Sequence, residues 1–365
     1  MSVPFKSFVG HRVRELCVHL NRWRQAGHHP RLCVLPSETG GSSLLWGQEM
    51  ALALRQLGWR VTVLHQVLEL VQRRRIIARE RPAALLMIKA RNAMNRPRLY
   101  GDVPVVFVLD DADYLDLTHE EAVIECCRGS KAVVAGSRVV EQWCQQHSDN
   151  VSMIWVSHPI PKKRAPTRCA DRRPIVGWAH ANPATYPTEA AWVQKVLIQL
   201  AQHTRFEFWL WGVREAKWAD EYLEPIRGAG VTTRTFGLVS PYSRYIETLQ
   251  NVAVGLHPIC LEVPYSQGKS WGKILSYMAA DVAVVTPPVL DHVEVLRDGV
   301  NSMLPESVDQ WVAAIRSLLL DYQLRQQIAT KGYEDFVEHL STLVAARQLQ
   351  NVLHSVIPSR AQSCD

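Results

Sequence analysis

The feature that most restricts what this chain can fold into is a repeated change of hydrophobic period. From Arg31 onward, short runs rich in β-branched and aliphatic residues alternate with stretches whose apolar residues recur at helical spacing. That order builds parallel sheets joined by right-handed helical crossovers. Strands are expected over 32–35, 61–64, 84–88, 103–109, 132–135 and 152–156, with helices over about 44–57, 67–80, 118–127 and 137–146. The run 103–109 is almost wholly apolar, as a strand covered on both faces must be. Gly58 stands where a helix C-cap is needed.

Between His158 and Pro174 the pattern stops, and prolines and basic residues take over. This is the expected linker. Alternation restarts at 175–178, followed by a helix over 188–202 and strands over 206–211, 233–236, 252–257 and 282–286. Ser307 and Gln310 have capping-box spacing ahead of a helix reaching Asp321. A last amphipathic helix over about 333–356 is expected to cross back to the first domain. With 365 residues, the chain is long enough for two cores. The expected division is a first domain over 1–165 with an extra N-terminal helix, a second over 166–332, and a C-terminal helix and tail over 333–365.

Hydrophobic residues at 47% and charged residues at 21% exclude a largely disordered chain. The formal charge of +6 favours anionic partners without choosing among nucleotides, nucleic acid and acidic lipid. The eight cysteines show no C-x-x-C pair and no regular spacing, which fits buried free thiols in a reducing compartment. No apolar run is long enough to span a bilayer, and a cytoplasmic location is expected. The segment 5–23 reads as a basic amphipathic helix. It fits either a membrane surface or a helix packed on the N-terminal domain.

In open parallel sheets, ligands bind outside the carboxyl ends of the strands, and three such loops carry candidates. Gly40 and Gly41 precede a helix and would let backbone amides approach a ligand. In Gly268-Lys269-Ser270-Trp271-Gly272-Lys273, a glycine, a helix start and a lysine charge suit a diphosphate. On a helical wheel Lys269 and Lys273 lie opposite the apolar arc, so a solvated lysine face is the alternative. The G-K-S triplet ends a Walker pattern, but the required earlier glycine is Val263. Asp110, Asp111 and Asp113 follow the most apolar strand and could orient a hydroxyl acceptor, act as base or hold a divalent cation. A helix cap and turn is the plainer reading. His180, Asn182 and Tyr186 follow the first strand of the second domain.

Taken together, Gly268-Lys269-Ser270 through Tyr277-Met278-Ala279-Ala280, Val284-Val285 and Glu294 to Gly299 resemble the donor-binding stretch of the GT-B glycosyltransferases, within them glycosyltransferase family 4. Gly40-Gly41, Val133 to Ser137 and Trp155 to Pro159 resemble that family's first loop and last N-terminal strands. The resemblance runs from Arg31 to about Tyr322. It implies a GT-B α/β fold, two Rossmann-like doubly wound parallel-sheet domains facing a cleft. It also implies transfer of a sugar from a nucleotide diphosphate sugar (UDP- or GDP-linked) to a hydroxyl acceptor, with retention, no required cofactor and no metal. Donor contacts then fall to Gly40, Gly41, His180, Lys269, Ser270, Lys273 and Glu294, with Glu294 on the ribose, and acceptor positioning falls to Asp110 or Asp111. The acceptor is left open among glycan, lipid-linked sugar, protein and modified nucleic acid. The family's frequent pair of glutamates would fall at Gly268 and Ser276, and neither is acidic here. A non-catalytic nucleotide-binding or scaffold protein of the same fold is the competing class, and a P-loop phosphotransferase is a further one.

Overall fold

The computed structural model describes residues 30–38 and 41–357, and the chain divides into two compact units. Of the described residues, the first holds those up to Ser157, the tripeptide Gly268–Ser270, and those from Thr342 onward. The second holds His158–Gln267 and Trp271–Ser341. The amphipathic segment 5–23 and Gly40 lie outside the described residues.

The first unit is built on β1 (Arg31–Leu35), α1 (Met50–Gln56), β2 (Arg60–Val63), α2 (Leu70–Glu80), β3 (Ala84–Ile88), β4 (Val105–Leu109), α3 (Glu120–Gly129), β5 (Ala132–Ala135), α4 (Arg138–Cys144) and β6 (Val151–Met153). Its sheet is parallel throughout, in the order β2-β1-β3-β4-β5-β6. Strands β3 and β4 are buried along their whole length, which is why their sequences carry no alternation. The direction of travel reverses between β1 and β3, so the loops leaving those strands diverge and open a crevice at the carboxyl edge.

The second unit runs through β7 (Ile175–Ala179), α5 (Pro187–Ala201), β8 (Glu207–Trp211), α6 (Ala216–Gly228), β9 (Thr232–Phe236), α7 (Tyr242–Leu249), β10 (Val254–Leu256), α8 (Pro264–Gln267), α9 (Gly272–Ala279), β11 (Ala283–Val285), α10 (Val308–Leu320) and α11 (Tyr322–Asp335). Its parallel sheet has the order β11-β10-β7-β8-β9. Here the reversal falls between β10 and β7. Helix α9 is pressed onto those two strands by Tyr277, fully buried, whose hydroxyl donates to the Gly177 carbonyl at 3.1 Å and accepts the Ala179 amide at 2.7 Å. A Cβ on Gly255 would stand 2.5 Å from the Tyr277 ring, so the ring requires a glycine in β10.

A final helix, α12 (Thr342–Val356), returns to the first unit, where Ala346, Leu349 and Leu353 join the core made by β1, β3, β4 and α1. The stretch expected as one helix over 333–356 is therefore three pieces: the end of α11, a π-helical turn Phe336–Leu340, and α12 beyond Ser341. The helix expected over 44–57 likewise opens with a π-helical segment, Ser43–Glu49, before α1. Helices α6 and α7 have no counterpart in the expected order. The first carries Pro225 in its interior and the second has only 8 residues, features that weaken a helical signal. Among the described residues no helix is long and apolar enough to cross a membrane.

Candidate functional site

In the first unit the reversal point is occupied by charge. Lys89 directly follows β3 in a left-handed backbone conformation, φ 53°, which costs a non-glycine residue energy and persists only where the surroundings enforce it. The enforcing interactions are made at its backbone amide and carbonyl. The Lys89 amide donates to Val108 of β4 at 2.9 Å, and its carbonyl takes one Asn95 Nδ2 hydrogen at 3.1 Å. Asn95 is fully buried and also donates to the Leu35 and Ile88 carbonyls, tying the ends of β1 and β3 together.

So fixed, the Lys89 ammonium lies 2.9 Å from Asp111, 3.2 Å from Asp110 and 3.4 Å from Asp113. Its side chain is only 3% exposed. Arg91 adds a two-point contact to Asp113, at 2.9 and 2.7 Å, and stands 3.7 Å from Glu38 of the loop after β1. The acidic turn is thus a cluster of three carboxylates around a buried ammonium and a guanidinium. The ammonium that these three carboxylates surround is that of Lys89.

The two aspartates at the strand end differ in electrostatic state. Burial pushes the Asp110 carboxyl up to about 6, with the Lys89 charge opposing the rise and the Asp111 charge adding to it. Burial also acts to raise Asp111, but Lys89, the Ser270 amide and the Lys269 charge outweigh it and hold its pKa below the usual range. Both Asp111 oxygens are engaged, Oδ2 by Lys89 and Oδ1 by the Ser270 amide at 3.2 Å. Asp111 is therefore a clamp on the Gly268–Ser270 turn. Asp110 is the group whose proton can come and go near neutral pH.

The turn itself is held close. A Cβ on Gly268 would come within 2.6 Å of the Ala112 methyl carbon, so glycine is what lets the turn reach the acidic strand end. Lys269 and Ser270 are half-buried, and the Ser270 amide, expected to face a phosphate, donates instead to Asp111. Gly41, the described member of the glycine pair, stands two residues ahead of the π-helical segment, and the space a Cβ would take there is empty to 4 Å. Ser43 closes that loop by accepting the Ser37 and Glu38 amides, each at 3.2 Å.

In the second unit the carboxyl edge gathers His180 after β7, His257 after β10, and Thr286, Asp291, His292 and Glu294 after β11. His180 is half-buried, takes the Asn182 amide on Nδ1 at 3.2 Å and lies 4.1 Å from the Tyr186 ring. His257 and Thr286 are buried and bonded, the threonine hydroxyl donating to the His257 carbonyl at 2.9 Å. Fully buried His292 donates from Nε2 to the Pro287 carbonyl at 2.8 Å, and burial lowers its pKa to about 4. It is neutral at pH 7, with Nδ1 as an acceptor. Glu294 is exposed at the end of the short turn Asp291–Glu294.

Lys273 lies in the first turn of α9, its ammonium 5.7 Å from the centre of the Tyr245 ring. Its carbonyl accepts the Ser276 hydroxyl at 2.8 Å, and Ser276 also meets the Tyr245 hydroxyl at 3.2 Å. Position 276 is fully buried where α7 and α9 meet. His158, paired with the Tyr242 hydroxyl, is driven down to about 3 by burial and then by the Lys273 charge.

Lys89, Arg91, His257 and His292 belong to no motif that the sequence presents. A weak signal exists for Lys89 and His257, each a lone polar residue directly after a buried apolar strand.

Residues 190–351 match the family described as Glycosyl transferase-like. No curated protein sequence matches the chain. Among solved structures, sucrose-phosphate synthase from Thermosynechococcus elongatus superposes with a TM-score of 0.68 at 12% identity, covering 90% of this chain and 98% of that one. Anabaena HepE, solved with UDP and glucose, gives 0.63 at 15% identity over 90% of this chain and 100% of its own. An α-glucosyltransferase in complex with UDP and a 13-mer DNA containing an HMU base gives 0.67 at 12% identity, covering 89% and 100%. Likeness at these identities speaks for the fold.

Proposed function

From the premise that this chain has the GT-B fold of glycosyltransferases, with a glycosyl transferase-like stretch over 190–351, we propose that it moves a sugar from a nucleotide diphosphate sugar to a hydroxyl acceptor. The observation that carries the reading is that the matched stretch includes β10 and β11, which deliver His257, His292 and Glu294 to the polar carboxyl edge of the second sheet, where His180 follows β7. Ligands of open parallel sheets bind at that edge, and UDP is present in the matched HepE structure.

In this reading Glu294 takes the ribose, Lys269 offsets the charge that develops on the leaving diphosphate, and His180 and Lys273 line the donor pocket. The acidic turn after β4 receives the acceptor. Asp110, able to change protonation near neutral pH, takes or shares the hydroxyl proton, while Lys89 and Asp111 hold the turn in shape. Retention of configuration and a cytoplasmic setting complete the proposal. The six described cysteines are free and buried, which suits a reducing compartment.

A second reading has one observation in its favour. Gly268 and Ser276 stand where an acidic pair was expected, and Ser276 is committed to a helix contact. A non-catalytic nucleotide-binding protein of this fold would show that pattern. Thermal unfolding against a panel of UDP- and GDP-sugars, followed by assay of nucleotide release from whichever stabilises the protein, separates the two. Stabilisation with release supports the enzyme, stabilisation without release in the presence of varied hydroxyl acceptors supports the binding protein, and neither effect removes both.

A further inference from the structure

Three buried hydrogen-bond acceptors at the carboxyl edge of the second sheet have no partner among the described residues: Asn182 Oδ1 after β7, Glu189 Oε2 in the first turn of α5, and His292 Nδ1 after β11. Native structures leave few such atoms, and each calls for a ligand, a water or a functional reason. The strongest of them is Glu189, 1% exposed. Its Oε1 accepts the Ser266 hydroxyl at 2.6 Å. Ser266 lies in α8, after β10, and the Gly268–Ser270 turn comes soon after it in the chain. Glu189 therefore joins the two segments that leave the sheet on either side of its reversal point, between β10 and β7.

The chemistry of these atoms restricts what can satisfy them. All three accept and none donates, and one belongs to a carboxyl group. A phosphate, itself anionic and accepting, is repelled there. A hydroxyl group is matched at Glu189, because it brings a hydrogen to the acceptor oxygen and a carboxylate gives the stronger, charge-assisted bond. Resting on the glycosyltransferase reading above, we infer that Glu189 Oε2 accepts a hydroxyl of the donor's sugar, hexose or ribose, and is a specificity-determining residue. The carboxylate missing from positions 268 and 276 is, on this view, supplied from the helix after β7.

Calorimetry with UDP and UDP-glucose on the wild type, Glu189→Gln and Glu189→Leu tests this, with GDP and GDP-mannose run alongside. Gln keeps a partner for Ser266 and replaces the second oxygen by an amide, so it guards against simple misfolding. The expected result is a loss of UDP-glucose affinity of about ten-fold or more in both variants. If UDP binding is unchanged, the contact is to the hexose; if UDP weakens equally, it is to the ribose. A UDP-glucose analogue lacking the contacted hydroxyl should bind wild type and Glu189→Gln alike. Wild-type binding with both variants, or with Glu189→Gln alone where Leu does not fold, within about two-fold overturns the inference and leaves a buried water as the partner. A wild type that binds none of the four ligands removes the donor reading itself, and the inference with it.

Discussion

Replacing Lys89 by methionine keeps the length of the side chain and removes the one ammonium at the centre of the acidic turn. That ammonium is shared by Asp111, Asp110 and Asp113 at 2.9, 3.2 and 3.4 Å. At an effective dielectric of about 20, each ion pair of this length represents roughly 5 kcal/mol of attraction. Most of that offsets the cost of taking the charges out of water, and removal of one partner from a buried pair costs about 3–5 kcal/mol. Arg91 still neutralises Asp113, so the exposed deficit falls on Asp110 and Asp111. The expected loss for the first unit is about 3–5 kcal/mol at pH 8.

The loss should also depend on pH in a fixed direction. In the wild type Asp110 titrates near 6, already raised above its ordinary value by burial and held there against Lys89. Without Lys89 its folded pKa rises further, so in the variant it protonates above pH 6, where the wild-type group is still ionised. Protonation relieves the unpaired charge, and the gap between variant and wild type narrows as pH falls from 8 to 6. Native-state hydrogen exchange of the β3 and β4 amides reads the opening free energy of this unit alone. A deficit below about 1 kcal/mol at pH 8, or one that does not change between pH 8 and 6, would refute the account of Lys89 as the cation of the turn.

Three further outcomes follow from the same geometry. Lys269→Ala should weaken UDP binding by about 1.5–3 kcal/mol in calorimetry, the worth of one charge-assisted contact, and an unchanged affinity removes Lys269 from the phosphate site. Gly268→Ala forces a carbon into the 2.6 Å approach to Ala112, so the Ser270–Asp111 bond should be lost and stability lowered by about 1–3 kcal/mol; exchange of the Ser270 amide as slow as wild type would contradict this. Sugar transfer should fall below about pH 6 as Asp110 takes up one proton, with the acid limb absent in Asp110→Asn. The same raised pKa works oppositely on stability: Asp110 favours the fold below its ordinary pKa, and that contribution is lost as pH rises through about 6.

The alternation of periods made the two-sheet plan readable, because a buried parallel strand must be apolar on both faces and its crossover helix on only one. The acidic turn was readable too, since Asp110 and Asp111 stand directly after an almost wholly apolar run. What could not be read is how those charges are compensated. Lys89 and Asp113 are 24 residues apart, and only strand order brings β3 beside β4. The same holds for Glu189 and Ser266, 77 residues apart, which in sequence look like an ordinary helix residue and a loop serine. The charge of Lys269 was visible from its neighbours. That an aspartate from another strand holds the adjacent amide was not, because hydrogen bonding across a sheet edge leaves no local pattern.

The return of α12 to the first unit sets an order on synthesis. A ribosome delivers the six strands of the first sheet early, yet Ala346, Leu349 and Leu353, which join the core holding Trp59 and Leu54, leave the tunnel only after the whole second unit. The second unit, nearly continuous in the chain, has all its strands and can close before the first is sealed. Until then the early half carries an open apolar face, and a chain cut just before Thr342 would keep it open for good.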